Sequence, residues 1–162
     1  MGTGTETVKK EHFLYPGTLF AKKGEYTVST ILGSCVSVCL WDPVLKFGGI
    51  NHYMLPLWNG EGLPSPKYGN IAISKLIENM LGLGCKKSNL KAKVFGGGEV
   101  LNSSGGILNI SARNIELAWE LLKEEGIPII SSEVGGNQGR KLIFNTESGT
   151  VLLRKVQKTM GK

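Results

Sequence analysis

Disulfide and metal chemistry have little material in this chain. Its 162 residues include three cysteines, Cys35, Cys39 and Cys85. An odd, sparse set argues against a secreted disulfide scaffold and for a reducing, cytoplasmic setting. There is no C-x-x-C pair. Cys35 and Cys39 on an extended strand would lie roughly 13 Å apart, too far for one zinc ion or for a disulfide. No second cluster of histidine and cysteine exists, so neither metal nor cofactor is expected. No apolar run approaches the 18 or so residues of a membrane-spanning helix. The opening MGTGTETVKKEHF offers no apolar stretch of the signal-peptide kind. The glycine-rich stretches FGGGE (Phe95–Glu99) and GGNQGRK (Gly135–Lys141) match neither G-x-x-x-x-G-K-[ST] nor G-x-G-x-x-G. They read as tight turns at strand ends, with walls of a cleft as the functional version. Asn114 and Arg140 are polar groups able to order such loops.

Acidic residues are also in short supply. Lys and Arg number 19 against 13 Asp and Glu, giving a net charge of +6 and a pI near 9.3. The excess favours an acidic partner. No basic motif interleaved with aromatics appears, so nucleic acid is not expected. Lys86, Lys87, Lys91 and Lys93 form the densest basic group, whose default reading is a solvated face.

The length suits one domain. Residues 1–14 are polar and read as a loose segment. From Tyr26 to Leu55 the texture is β-like, with Asp42-Pro43 and Gly48-Gly49 as punctuation. Residues 56–69 carry three prolines and read as an irregular loop. Ile73, Leu76, Ile77 and Met80 predict a helix opening near a capping Asn70 and stopping at Gly82 or Gly84. Ile115, Ala118, Trp119 and Leu122 predict a second helix ended by Gly126-Ile127-Pro128. IPIISSEV, KLIFN and TVLLRKV predict closing strands. Strands first, two helices in the middle and strands last indicate an α+β layered sandwich.

One short stretch raises a chemical question. In STILGSCVSVCLWDP, Cys35 follows Gly33-Ser34 and leads into an apolar run. Free cysteine is among the most buried residue types, and inert packing is the ordinary reading. Cys39 and Cys85 fit it. Gly33-Ser34, however, leaves the backbone uncrowded and permits dihedrals that expose an N–H next to the sulfur. His52 lies on the next β-like segment, where an antiparallel pairing would set it face to face with Cys35. A Cys–His pair is the minimum for thiol nucleophilic catalysis. Taken alone, His52 in INHYML is more often a satisfied core histidine. His12, in the polar opening segment, is a poor competitor for the role of base.

LGSCVSVCLWDP, GGINHYMLP, KYGNIAISKLIENM, AKVFGGGE and SARNIELAWELL…GIPIISSEVGGNQGRKLIFNTESGTVLL resemble, in this order, the CheD family of chemoreceptor glutamine deamidases. The resemblance spans residues 15–157 as one domain and leaves 158–162 as a basic tail. It implies a three-layer α/β sandwich like the catalytic domain of cytotoxic necrotizing factor. It implies hydrolysis of selected receptor glutamine amides to glutamate, with Cys35 as nucleophile and His52 as general base and acid. It implies chemoreceptor cytoplasmic helices as partners, and a CheC-type phosphatase as a further one. The third residue of the family's site is a threonine a few positions before the cysteine. Here Ser29 and Thr30 stand side by side, and neighbouring strand residues point to opposite faces, so only one can serve. Residue type favours Thr30. Ser111 stands where many relatives carry glycine. The alternative is a non-catalytic adaptor that binds receptors or a CheC-type partner, with a structural cysteine.

Overall fold

A computed structural model describes residues 10–99 and 109–156 of the chain. It is an α+β fold of two sheets and two helices. The strands are β1 (Glu11–Phe13), β2 (Leu19–Lys22), β3 (Thr27–Leu32), β4 (Val36–Asp42), β5 (Phe47–Asn51), β6 (Lys91–Gly96), β7 (Ile129–Val134), β8 (Gly139–Asn145) and β9 (Val151–Val156); the helices are α1 (Gly69–Gly82) and α2 (Ile110–Glu124). One sheet has the order β2-β5-β4-β6-β7 and the other β1-β3-β8-β9. Both helices pack on the five-stranded sheet, and the four-stranded sheet covers its other face.

Strand periodicity divides the core in two. Even-numbered β4 residues Val36, Val38 and Leu40 meet Leu76 and Met80 of α1 and Ala118 and Leu122 of α2. Cys39 and Ile50 point the other way, into a second core shared with Val28, Leu32, Leu142 and Phe144 of the opposing sheet. With both faces covered, β4 shows no alternation of apolar and polar residues, which is why it reads as one apolar run.

Four expectations need correction. Of the segment expected to be loose at residues 1–14, the part from Glu11 onward is built into the fold. Glu11–Phe13 pairs in parallel with Thr27–Ser29, and Leu14 is fully buried. This strand is short and exposed on both sides, so it carries no hydrophobic signature. Gly48-Gly49 is not punctuation but lies inside β5. A Cβ on Gly49 would meet Leu76 and Met80 at 2.9 Å, so the glycine lets α1 approach the sheet. The turn comes earlier, where Asp42 Oδ1 accepts from the Val44 and Leu45 N–H groups. Asn70 does not cap α1. Tyr68 is the N-cap residue, and Asn70 Oδ1 instead accepts from the Trp58 N–H at 3.0 Å, tying down the proline-rich loop. Trp119 sits at the rim of α2, whose buried face is Ser111, Asn114, Leu117, Ala118 and Leu122. The polar members of that face break the apolar stripe in the sequence. The basic tail expected at 158–162 lies outside the described residues. Among the described residues, no helix is long and apolar enough to cross a membrane.

Candidate active site

β3 brings a buried hydroxyl to the space between the sheets. Its even-numbered residues Val28, Thr30 and Leu32 face inward, while Ser29 and Ile31 face out. Thr30 Oγ1 lies 2.7 Å from His52 Nδ1, in a region where Thr30 is 0% and His52 1% exposed. Ser29 is on the outer face of its sheet, and its carbonyl accepts from the Leu14 N–H. Of the two adjacent hydroxyl residues, only Thr30 meets the imidazole.

The hydroxyl also fixes the state of the ring. Thr30 Oγ1 donates its proton to the Leu14 carbonyl at 2.7 Å. A hydroxyl has one proton to give, so towards His52 it accepts, and the proton between them belongs to Nδ1. The neutral ring therefore carries hydrogen on Nδ1 and leaves the Nε2 lone pair unengaged by Thr30. Burial lowers the His52 pKa to about 4, which keeps the ring neutral near pH 7.

Cys35 precedes β4. Val36 and Tyr53 exchange backbone hydrogen bonds at 3.0 and 3.1 Å, and this register continues the β4–β5 ladder. The residue directly opposite His52 is therefore Ser37. Cys35 lies one diagonal step away on the same face. The expected face-to-face pair is thus a diagonal one, at a spacing of about 7–8 Å between backbones that longer side chains can bridge. Cys35 is half-buried and packs on the inter-sheet core. Burial raises its thiol pKa. Since burial opposes both the thiolate and the imidazolium, the resting pair is a neutral thiol and a neutral imidazole. Cys39 and Cys85 are buried and protonated for the same reason, Cys85 being pushed up to about 12.

The turn holding Cys35 has every carbonyl engaged. Gly98 N–H donates to the Gly33 carbonyl and Gly97 N–H to that of Cys35, both at 2.8 Å. Asn114 Nδ2 donates to the Ser34 carbonyl at 3.2 Å. Among the described residues, no backbone carbonyl accepts from the Ser34 or Cys35 N–H. Gly96 has φ +111°, and a Cβ there would collide with the Cys35 carbonyl oxygen. FGGGE is thus the bracket of the cysteine turn. GGNQG is held in turn by Arg140, which is 3% exposed and donates to the Glu133, Gly135 and Gln138 carbonyls. The Gly136 carbonyl then accepts from the Glu99 N–H, linking the two glycine loops.

Sequence reasoning missed two members of this arrangement. The Leu14 carbonyl leaves no trace in residue type. Asn114 was expected to order a glycine loop, but it is fully buried and binds the Ser34 and Met54 carbonyls, beside Cys35 and beyond His52. Its Oδ1 has no partner among the described residues. Leaving such an acceptor buried costs about 1–3 kcal/mol, so the two N–H donations must justify the placement. Among the described residues, no group of three or more His, Cys, Asp or Glu side chains is placed to hold a metal ion.

Known proteins extend the comparison beyond geometry. The family model described as CheD chemotactic sensory transduction matches residues 54–155. A protein of Trichlorobacter lovleyi named probable chemoreceptor glutamine deamidase CheD is 50% identical over 144 residues, covering 89% of each chain. One of Sulfurimonas denitrificans with the same name is 45% identical over 152 residues, covering 93% of this chain and 97% of its own. The chemoreceptor glutamine deamidase CheD of Thermotoga maritima is 42% identical over 125 residues, covering 77% and 78%. Near-full-length identity at this level, together with the family-model match, shows that this chain belongs to the CheD family.

Proposed function

We propose that this protein is a chemoreceptor glutamine deamidase that works through a Cys35–His52 thiol mechanism. The observation that carries the mechanism is the 2.7 Å contact between Thr30 Oγ1 and His52 Nδ1, on the face of the site that Cys35 shares. Family membership supports the substrate, and the helix, sheet and sheet layering supports kinship with the cytotoxic necrotizing factor domain. A CheC-type phosphatase is the further partner on this reading, supported by family membership alone.

The chemistry begins from the neutral pair. His52 Nε2 accepts the Cys35 thiol proton as the sulfur bonds to the glutamine side-chain carbonyl carbon. The carbonyl oxygen becomes an oxyanion, and the N–H groups of Ser34 and Cys35 are the available donors. The imidazolium, held by Thr30, gives its proton to the nitrogen as the C–N bond breaks and ammonia leaves. Water then attacks the thioester while Nε2 takes its proton. The C–S bond breaks as the His52 imidazolium returns its proton to the sulfur, and the new carboxylic acid loses its own proton to solvent, leaving glutamate. Each turnover places a new negative charge on the receptor.

The test is mass spectrometry of a chemoreceptor cytoplasmic fragment together with ammonia release. The expected result is a gain of about one dalton at particular glutamines by the wild type. Folded Cys35→Ala and His52→Ala lose it, Thr30→Val slows it on the order of 10- to 100-fold, and Ser29→Ala leaves it unchanged. Absence of any Cys35-dependent mass change would return Cys35 to the core and favour an adaptor.

A further inference from the structure

We propose that Asn114 is a positioning residue that fixes the Ser34–Cys35 peptide so that its N–H serves as an oxyanion donor. This rests on the reading of Cys35 as nucleophile. The peptide bonds of the described chain contain no cis isomer. In a planar trans peptide the C=O and the N–H point in opposite directions. Asn114, on α2, donates from Nδ2 to the Ser34 carbonyl at 3.2 Å and so turns that carbonyl towards the helix. The Cys35 N–H must then point away from α2. The same side is taken by the Cys35 side chain, which packs on the inter-sheet core.

The FGGGE bracket binds the turn through backbone groups, by Gly97 at Cys35 and Gly98 at Gly33. Only the middle carbonyl depends on a side chain. Without Asn114, the Ser34–Cys35 peptide is the one unit of the turn free to flip, and flipping would aim a carbonyl where an oxyanion forms. The second Nδ2 proton goes to the Met54 carbonyl at 3.1 Å, two residues beyond His52. One amide thus spans the two chain segments that carry Cys35 and His52. Both contacts are to acceptors, so the NH2 group faces them and the amide has a single acceptable orientation. Tyr53 fixes the other side by donating its hydroxyl to the Asn114 backbone carbonyl at 2.6 Å.

Two reactions of the same sulfur separate this role from simple structural support. Amide hydrolysis passes through an oxyanion, whereas alkylation by iodoacetamide is a displacement at a saturated carbon and needs no oxyanion donor. Asn114→Leu removes both N–H donors with little change of volume and adds no charge beside the thiol. Its deamidation of the receptor fragment is expected to fall about 10²–10³-fold in kcat, as on loss of one oxyanion donor, with KM little changed. Its Cys35 alkylation rate, followed by mass spectrometry of the Cys35 peptide, is expected to stay at the wild-type value. Asn114→Ser retains one donor in a smaller side chain and is used if Asn114→Leu does not fold; the same selective loss is expected. Wild-type hydrolysis by these variants would overturn the proposal, as would a parallel fall of hydrolysis and alkylation. If the wild type shows no Cys35-dependent deamidation, the nucleophile reading fails first and the proposal falls with it, by a different observation.

Discussion

His52 is 1% exposed, and loss of hydration holds its pKa near 4, well below the usual imidazole value of about 6.5. Between these two values the unfolded chain binds a proton at this position and the folded chain does not. The stability tied to neutral His52 is therefore fully present above about pH 6.5 and is lost as pH falls towards about 4. At 1.36 kcal/mol per pKa unit the loss is on the order of 3 kcal/mol. Urea midpoints measured from pH 7 down to pH 4 should fall more steeply for the wild type than for His52→Gln. Identical slopes would mean that the buried ring does not titrate in this window. The sequence supplied the residue types of this site but not their partners. Side-chain parity dictates that Ser29 or Thr30, not both, can reach His52, and it is silent on which one. The choice follows from β3 pairing with β8 and turning its even positions to the other sheet, a contact made across more than 100 residues.

The helices were legible as elements because α1 buries Ile73, Leu76, Ile77 and Met80 at helical spacing. Asn109 caps α2 by accepting from the Ala112 N–H, and Gly126, with φ +73°, follows its last turn. Glycines were harder to read, since the same residue marks a turn, a close approach or a positive φ. Gly96 ends β6 with φ +111° directly against the Cys35 carbonyl. Alanine there meets both an unfavourable backbone region and a steric clash. Gly96→Ala is expected to destabilise the fold by more than about 1 kcal/mol. Because the displaced atom belongs to Cys35, deamidation should fall further than stability alone explains. Denaturation midpoints and deamidation rates, measured at a temperature where both proteins are folded, check this. Gly60, which has open space around it and the same sign of φ, supplies the control. Equal effects at the two positions would remove any special role for the β6 bracket.

At the scale of the molecule, the order of strands and helices indicated a layered sandwich but not the partition of strands. β1, β3, β8 and β9 are drawn from both ends of the chain, and no local pattern announces that they leave the central sheet together. The candidate site depends on that partition, because Thr30 comes from one sheet and His52 from the chain continuing the other. Net charge, by contrast, was readable directly. On the proposed function, the +6 excess draws the protein to an acidic receptor at long range, and each deamidation makes that receptor more acidic. Exposed charges act over a Debye length of about 10 Å at 0.1 M salt and about 3 Å at 1 M. Added salt should therefore weaken docking and leave the buried chemistry alone. The expected result for receptor deamidation is a KM that rises with ionic strength and a kcat that does not change. The buried Thr30–His52 contact has no reason to respond to screening, so a falling kcat would point to a change in the site itself. A KM indifferent to salt would assign receptor recognition to apolar contact and remove the basic surface from the account.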